Sequence, residues 1–238
     1  MKNIGIISGK ELSSYLTSPM AYIVAAIFLA LSGTFFATYL ADINYTDTSI
    51  TGFLNAARFL ILLFAAVLTM RLIAEERKLG TWEFLLTTPV RDTEIILGKF
   101  LGSLVMLTGM LALTLYYPIL LIVLGDPDLG PIWTSYCGLF LLGSACLSIG
   151  IFASSMTANQ IVSAVVAGGI TFALWFLGVV GNMAPAPLGD VLSYLSLSYH
   201  FPDFMRGIID TRAIVYYLSV TALFLYLAVG SIETGRWR

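Results

Sequence analysis

The longest uncharged stretch of the chain runs from residue 129 to residue 189 and reads LGPIWTSYCGLFLLGSACLSIGIFASSMTANQIVSAVVAGGITFALWFLGVVGNMAPAPLG. It is too long for one membrane crossing, because a transmembrane helix needs about 20 apolar residues. The polar run Thr157-Ala158-Asn159-Gln160 interrupts it. We therefore predict two consecutive membrane helices here, over residues 132–155 and 161–181.

The same length rule predicts four more membrane helices, at residues 21–41, 53–73, 95–124 and 213–232. The composition agrees, because 58% of the 238 residues are hydrophobic, only 11% are charged, and the mean hydropathy is +0.91. These values exclude a cytosolic enzyme, a disordered regulator and a nucleic-acid-binding protein. The predicted fold class is all-α: a polytopic membrane protein with six transmembrane helices in one domain over residues 1–238.

The positions of lysine and arginine predict the orientation, since cytoplasmic loops carry an excess of both. With the N-terminus inside, the outer side holds only Arg206 and Arg212, with Arg58 near the outer end of its helix. Both termini are therefore predicted to face the cytoplasm. The cytoplasmic side then collects nine basic residues: Lys2, Lys10, Arg71, Arg77, Lys78, Arg91, Lys99, Arg236 and Arg238.

The central parts of the predicted spans lack the acidic and histidine side chains that ion coupling or catalysis inside the membrane would need. No predicted span carries Asp, Glu or His in its central part, whereas ion-coupled carriers hold the driving ion with such groups. Arg58 and Lys99 are the only charges well inside the spans, and both are predicted to extend toward the nearby membrane interface. For Arg58, a role in a transport pathway is the alternative.

The sequence offers neither a metal site nor an ATP site. The single histidine, His200, is predicted to be a packed or interfacial aromatic residue, with a ligand as the alternative. Cys137 and Cys146 fall on opposite sides of one helix, so they cannot form a disulfide with each other. A phosphate-binding loop of the form Gly-x-x-x-x-Gly-Lys-Ser/Thr is absent from the sequence. We predict that the chain is not an enzyme and binds no cofactor, so that another subunit must supply energy for uphill transport.

In the predicted cytoplasmic loop at residues 71–94, the order of charged, glycine, amphipathic and proline positions indicates a structured segment. Its charge cluster extends the second helix, and Gly80 can end it. Thr81 can cap a short amphipathic helix that Pro89 ends, and Asp92 can cap the third membrane helix. An ordinary charged loop is the alternative. The residues that form this element are Glu75, Glu76, Arg77, Lys78, Trp82, Glu83, Leu85 and Leu86.

Short helices are also predicted outside the spans. Residues 1–19 are predicted to form an interfacial helix, with a frayed tail as the alternative. The extracytoplasmic loop at residues 182–212 is predicted to contain two short outer helices, one after Pro187 and one from Pro202 to Gly207. The apolar face of the N-terminal helix is predicted to consist of Ile4, Ile7, Leu12, Tyr15 and Leu16.

Small residues in two spans allow close helix packing. Gly98 and Gly102 form a Gly-x-x-x-Gly pair in the third span. Small residues also narrow the fifth span, around Gly168 and Gly169. Whether these positions serve contacts within one subunit or between two is open at this point.

The loop after the second span closely resembles the corresponding motif of ABC type-2 permeases, the membrane subunits of ATP-driven exporters. The residues that carry the resemblance are Glu75-Glu76-Arg77-x-x-Gly80-Thr81-x-Glu83-x-Leu85-Leu86-x-x-Pro89. Lys10-Glu11-Leu12, the region from Gly143 to Gln160, and the segment from His200 to Asp210 also resemble family segments in the same order. Within the family, the gliding-motility-associated permease group is the most similar.

The resemblance implies a coupling role for residues 81–88, which would sit in a groove of a separate cytoplasmic ABC ATPase. Glu75, Glu76 and Glu83 would meet polar or basic groups there, and the turn from Thr157 to Gln160 would make a smaller contact. The implied assembly has two ATPase copies, which use ATP and magnesium, and a second permease, in a bacterial inner membrane. The implied coupling residues are Glu75, Glu76, Arg77, Gly80, Thr81, Glu83, Leu85, Leu86, Pro89, Asn159 and Gln160.

The exported substrate is expected to be a lipid, amphiphile or hydrophobic peptide, because the spans are apolar and nearly free of charge. A rival interpretation is a membrane scaffold that transmits ATPase-driven movement to an extracytoplasmic accessory protein without moving a solute. A channel or secondary carrier is a second rival. No nucleic-acid partner is expected.

Overall fold

The computed structural model describes residues 2–42, 51–82, 90–125 and 127–235, and all regular elements within these ranges are helices. The expectation of an all-α fold is thereby confirmed. The helices are α1 (Lys2–Thr17), α2 (Pro19–Asp42), α3 (Thr51–Thr69), α4 (Ala74–Lys78), α5 (Asp92–Thr114), α6 (Tyr116–Leu124), α7 (Leu129–Met156), α8 (Gln160–Met183), α9 (Leu188–Tyr194), α10 (Pro202–Met205) and α11 (Thr211–Gly235).

Six helical stretches are long and apolar enough to cross a membrane, as predicted. The third of them is broken at Leu115, between α5 and α6. Pro118 explains the break, because it has no N–H to donate to the carbonyl of Thr114 one turn earlier. The Tyr136 hydroxyl donates to that carbonyl instead, at 3.0 Å. The proline therefore bends the helix without leaving this carbonyl unpaired.

Helix α7 forms the centre of the bundle. In the most apolar stretch of α7, 83% of the residues are buried inside the protein. The corresponding share is 22% in α2 and 22% in α8. Helix α7 packs against α3, α5, α8 and α11. Glycines in α7 permit this close packing. A side chain at Gly143 would collide with Leu107 of α5, and a side chain at Gly138 would collide with Phe204 of α10. The other spans turn more of their apolar surface outward, as helices in lipid can.

The two ends of the bundle differ in character. We call the end that carries α1, residues 70–82 and the turn at residues 157–159 the charged end. The end that carries the connection at residues 184–210 is the aromatic end. The sequence expectations assign the charged end to the cytoplasm.

Helix α1 packs along α5. Gly98 and Gly102 of α5 therefore serve a contact within the chain. A Cβ atom at Gly98 would lie 2.7 Å from Ile7, and one at Gly102 would lie 2.7 Å from the Cβ atom of Glu11. The glycine pair thus lets α1 approach the α5 backbone closely. The N-terminal segment is therefore a docked helix and not a frayed tail.

Candidate coupling site at the charged end

The turn between α3 and α4 is held by a serine of the central helix. The Ser154 hydroxyl accepts hydrogen bonds from the backbone N–H groups of Ile73 and Ala74, both at 3.1 Å, and donates to the carbonyl of Met70 at 3.3 Å. A helix start leaves its first N–H groups without helical partners. Because Ser154 satisfies two of these donors near the start of α4, the position of α4 is fixed relative to α7.

Lys99 of α5 also contacts this turn. Its side chain is 1% exposed, and its ammonium nitrogen lies 2.7 Å from a carboxylate oxygen of Glu11 and 2.9 Å from one of Glu76. It also donates to the Leu72 carbonyl at 2.7 Å. We call Lys99, Glu11 and Glu76 the Lys99 ion cluster. It joins α4 and α5 to α1, and Lys99 and Glu11 are 88 positions apart in the sequence.

The predicted extension of Lys99 toward the membrane interface is therefore wrong. The physical reason is that two carboxylates and a carbonyl surround the ammonium group inside the protein, so it does not need the headgroup region for solvation. The sequence shows both residues as charges within apolar-patterned segments, Glu11 in the N-terminal helix and Lys99 in the third span, but it does not show that they pair.

The orientation of α1 also differs from the prediction. Glu11 is buried, at 8% exposure, whereas Leu16 of the predicted apolar face is 53% exposed. The face is set by the contact with α5 and by Tyr15, whose hydroxyl donates to the Leu68 carbonyl at 2.7 Å. Burial raises the pKa of the Tyr15 hydroxyl, which keeps this donor protonated.

Arg71 connects the start of α2 to this arrangement. Its guanidinium group lies 5.0 Å from the centre of the Tyr15 ring and donates to the Ser18 hydroxyl at 3.0 Å. Stacking of a guanidinium group on an aromatic ring is attractive. The α3–α4 turn is consequently tied to α1, α2, α5 and α7.

The first predicted coupling residues, Glu75, Glu76 and Arg77, lie in α4, next to the α3–α4 turn. The later ones follow α4 in the chain. Glu75 and Glu76 line a cavity of about 440 Å³ between α1 and α4. Beyond α4, Leu79 is 67% exposed, and Gly80 has a φ of +71°, which favours glycine. Gly80 thus ends α4 as predicted, and the chain leaves the bundle at an exposed point.

The short helix predicted after Gly80 is described only at its start. Residues 81 and 82 are helical, and the Arg77 guanidinium group lies 5.7 Å from the Trp82 ring centre. The Thr81 hydroxyl donates to the Glu76 carbonyl at 3.3 Å, back toward α4. The predicted coupling residues Glu83, Leu85, Leu86 and Pro89 lie outside the described residues.

At the start of α5, the structure corrects the predicted cap. Asp92 is the first residue of the helix and not its cap; Arg91 precedes the helix. The Glu94 carboxylate accepts a hydrogen bond from the Arg91 backbone N–H at 3.2 Å. A glutamate at the third helical position commonly reaches back in this way.

The second predicted contact, the turn at residues 157–159, lies at the same end. Asn159 is exposed and caps α8, since its side-chain oxygen accepts hydrogen bonds from the N–H groups of Ile161 and Val162. Gln160 is the first residue of α8. Helix α4 packs against both α7 and α8, so the two predicted contact regions are neighbours.

The aromatic end contains the two predicted short helices, α9 and α10. His200 between them is 5% exposed and stacks on Tyr216 at a ring distance of 4.0 Å, which confirms the predicted packed aromatic role. Its Nδ1 atom lies 3.3 Å from the Ser196 carbonyl. Burial lowers the pKa of His200, while Ser196, Asp210 and Asp203 oppose this effect.

Arg58 of α3 lies beneath this end, and its extension toward the membrane interface stays a prediction. Its guanidinium carbon is 5.1 Å from the centre of the Trp175 ring and 5.6 Å from that of Phe201. Trp175 belongs to α8 and Phe201 directly precedes α10. Aromatic faces attract the cation.

Known proteins resemble this chain over most of its length. A family model described as ABC-2 family transporter protein matches residues 6–231. A probable multidrug ABC transporter permease, YbhS of Escherichia coli strain K12, is 28% identical over 176 residues, which cover 72% of this chain and 46% of that protein. The same protein from Escherichia coli O157:H7 matches equally. The chain spans about half the length of these curated relatives.

Proposed function

Because the chain belongs to the ABC-2 family of transporter proteins, we propose that it is the membrane-spanning permease subunit of an ATP-driven exporter. ATP is hydrolysed, with magnesium, in two copies of a separate cytoplasmic ATPase. The chain pairs with a second permease, which is either a copy of itself or a related chain. It resides in the inner membrane of a bacterium with both termini in the cytoplasm.

The observation that carries this proposal is the way α4 is tied to the bundle. Its exposed end, at Leu79 and Gly80, is directly followed by the predicted coupling helix. Its other end is bound through Ser154 to α7 and through the Lys99 ion cluster to α1 and α5. Displacement of α4 by a docked ATPase is therefore transmitted to three parts of the bundle.

In this proposal the ATPase contacts two neighbouring surfaces. Residues 81–88, with Glu83, Leu85 and Leu86, occupy its groove, and Pro89 ends that helix. Asn159 and Gln160 add the smaller contact. Glu75, Arg77 and Thr81 border the groove, whereas Glu76 connects it to Lys99.

The proposed cargo is a lipid, an amphiphile or a hydrophobic peptide. The apolar spans support this proposal, as does the similarity to the Escherichia coli relatives, which are described as a probable multidrug permease. An apolar path suits a molecule that enters from the membrane more than it suits a small ion.

A second candidate function is force transmission to an extracytoplasmic accessory protein, as in the gliding-motility-associated group. A cavity of about 640 Å³ at the aromatic end favours this alternative. Its wall carries two acids and two bases, Asp203, Asp210, Arg206 and Arg212. Such a mixed charged surface suits a polar protein contact.

Uncoupling variants test the exporter proposal in proteoliposomes that contain the permease and its ATPase. Gly80→Pro cannot adopt the φ of +71°, and Glu83→Lys reverses a charge in the proposed groove. We expect both variants to insert normally but to lose the stimulation of hydrolysis by lipids, amphiphilic drugs or hydrophobic peptides. Thr234→Ala, at an exposed site of α11, is the control. Normal stimulation in both uncoupling variants would contradict the proposal.

A further inference from the structure

Arg58 keeps unused capacity to bind an anion. Its Nε atom is buried and has no hydrogen-bond partner, and no acid pairs with it anywhere in the described ranges. The residue as a whole is only partly buried. A guanidinium group presents five N–H donors in a planar fork that matches phosphate or carboxylate. Aromatic faces attract the charge but accept none of these hydrogen bonds strongly.

The position of Arg58 in the membrane makes this unusual. It lies seven residues into α3, about 10 Å from the helix start at Thr51. A cation at such depth is costly unless it is paired, and positions of this kind mark binding sites or pathways. Lys99 in the same chain has a structural role, and two carboxylates neutralise its charge. Arg58 has no such partner among the residues that the structure describes.

Exposed aromatic rings directly follow Arg58 in α3 and its ring partner Trp175 in α8. Phe59 is 47% exposed and Phe176 is 53% exposed. The Phe172 ring lies between them, 5.6 Å from Phe59 and 6.4 Å from Phe176. One cationic group beside a row of exposed rings matches a molecule with an anionic head and an apolar tail.

We propose that Arg58 binds the anionic group of an amphiphilic cargo, a phosphate or a carboxylate, while the cargo's tail lies on Phe59, Phe172 and Phe176. The assignment rests on the proposed exporter function and specifies its substrate class. Arg58 selects the cargo by charge, and the aromatic surface accepts tails of different length.

Trp175 provides a local reporter, because the guanidinium group of Arg58 lies over its ring. The experiment uses the permease in phosphatidylcholine nanodiscs with Trp82, Trp133 and Trp237 replaced by Phe. Bromine quenches tryptophan on contact, so binding is read from Trp175 fluorescence. The two probes are dibromostearoyl lysophosphatidic acid and dibromostearoyl monoacylglycerol, which differ only in the phosphate.

We expect the phosphate-bearing probe to half-saturate quenching at a concentration about tenfold lower than the neutral probe, the effect of one charge-assisted hydrogen-bonded pair. Arg58→Gln should abolish this difference, and Arg58→Lys, which keeps the charge, should retain part of it. Arg212→Gln, an exposed cation at the same end, should leave it intact. Equal binding of both probes, or a preference that survives in Arg58→Gln, would overturn the proposal.

The source of the anion is distinguished by competition. If unbrominated phosphatidylglycerol in the nanodisc does not displace the lysophosphatidic acid, the site selects a cargo over bulk lipid, as proposed. Full displacement would identify a resident membrane lipid and overturn the cargo assignment. Because no ATPase is present, failure of this binding test is distinguishable from failure of the uncoupling test.

Discussion

Lys99 and Arg58 are both cations within apolar spans, and the fold surrounds them in opposite ways. Lys99, at the charged end, is 1% exposed and contacts carboxylates of Glu11 and Glu76. Arg58, near the aromatic end, contacts the rings of Trp175 and Phe201 and has no acid partner among the described residues. The first cation completes a structural cluster, whereas the second retains hydrogen-bonding capacity for a ligand.

A buried charge therefore serves two separate purposes in the bundle. At the charged end, ionic groups join α1, α4 and α5 into one unit. At the aromatic end, an uncompensated cation is held in place by rings that do not neutralise it. Variants at each end should therefore affect different properties, stability at one and ligand binding at the other.

The largest effect is expected for Lys99→Met, which leaves Glu11 and Glu76 without their cation. Breaking one partner of a buried ion pair costs about 3–5 kcal/mol. The measurement is the free energy of unfolding in mixed micelles. Lys10→Met is the matched control, because Lys10 is exposed and lies 3.9 Å from the same Glu76 carboxylate; exposed pairs contribute at most about 1 kcal/mol.

A rescue experiment separates the ion cluster from general damage to the core. Glu11→Gln and Glu76→Gln, added to Lys99→Met, remove the unpaired charges and should restore part of the lost stability. If Lys99→Met and Lys10→Met had equal effects, the structural role of the cluster would be refuted.

A smaller effect, about 1–3 kcal/mol of lost stability, is expected for Gly102→Ala. The new methyl group would lie 2.7 Å from the Cβ atom of Glu11 and 3.3 Å from the Ser8 carbonyl oxygen, so α1 must move away from α5. Gly109→Ala on the same helix has no atom within 4 Å of the new methyl group. The same unfolding measurement compares the two, and equal stability would contradict the docked position of α1.

The aromatic end should respond to pH through His200. Burial holds its pKa below the ordinary value, so the folded protein binds this proton less readily than the unfolded chain. Stability is therefore fully present above about pH 6.5 and falls as the pH drops below it, by at most about 1.4 kcal/mol per pH unit. Unfolding followed from pH 8 to pH 5 in the wild type and in His200→Phe should show this component only in the wild type. The same slope in both proteins would contradict the neutral, stacked histidine.

The smallest stability effect is expected for Arg58→Met, at most about 1 kcal/mol in the unfolding measurement. Its attraction to two rings is lost, but no opposite charge is left unpaired. Lys99→Met, in contrast, leaves two carboxylates without their cation. A loss as large as that of Lys99→Met would mean that Arg58 serves structure in the same way.

The sequence predicted the features that depend on local patterns. Apolar length predicted the six spans, and Gly80 predicted the end of α4. The break at Leu115 was detectable in principle from Pro118, because proline removes a helical hydrogen bond.

The contacts between distant segments could not be predicted in this way. Glu11 and Lys99 are 88 positions apart, and nothing local specifies that α1 turns its acid inward and leaves Leu16 exposed. Ser154 was missed because a serine in a helix rich in small residues carries no distinctive signal. Such features depend on which helices become neighbours, which is a property of the whole bundle.

Site-specific photo-crosslinking shows whether an ATPase docks at the exposed end of α4. A benzophenone amino acid is placed at Leu79, which is 67% exposed, and as a control at Tyr226 of α11, which is 76% exposed. In membranes of the native host, the account predicts that Leu79 crosslinks to an ABC ATPase, identified by mass spectrometry, and that Tyr226 does not. Crosslinking of the ATPase from neither position, or equally from both, would contradict it.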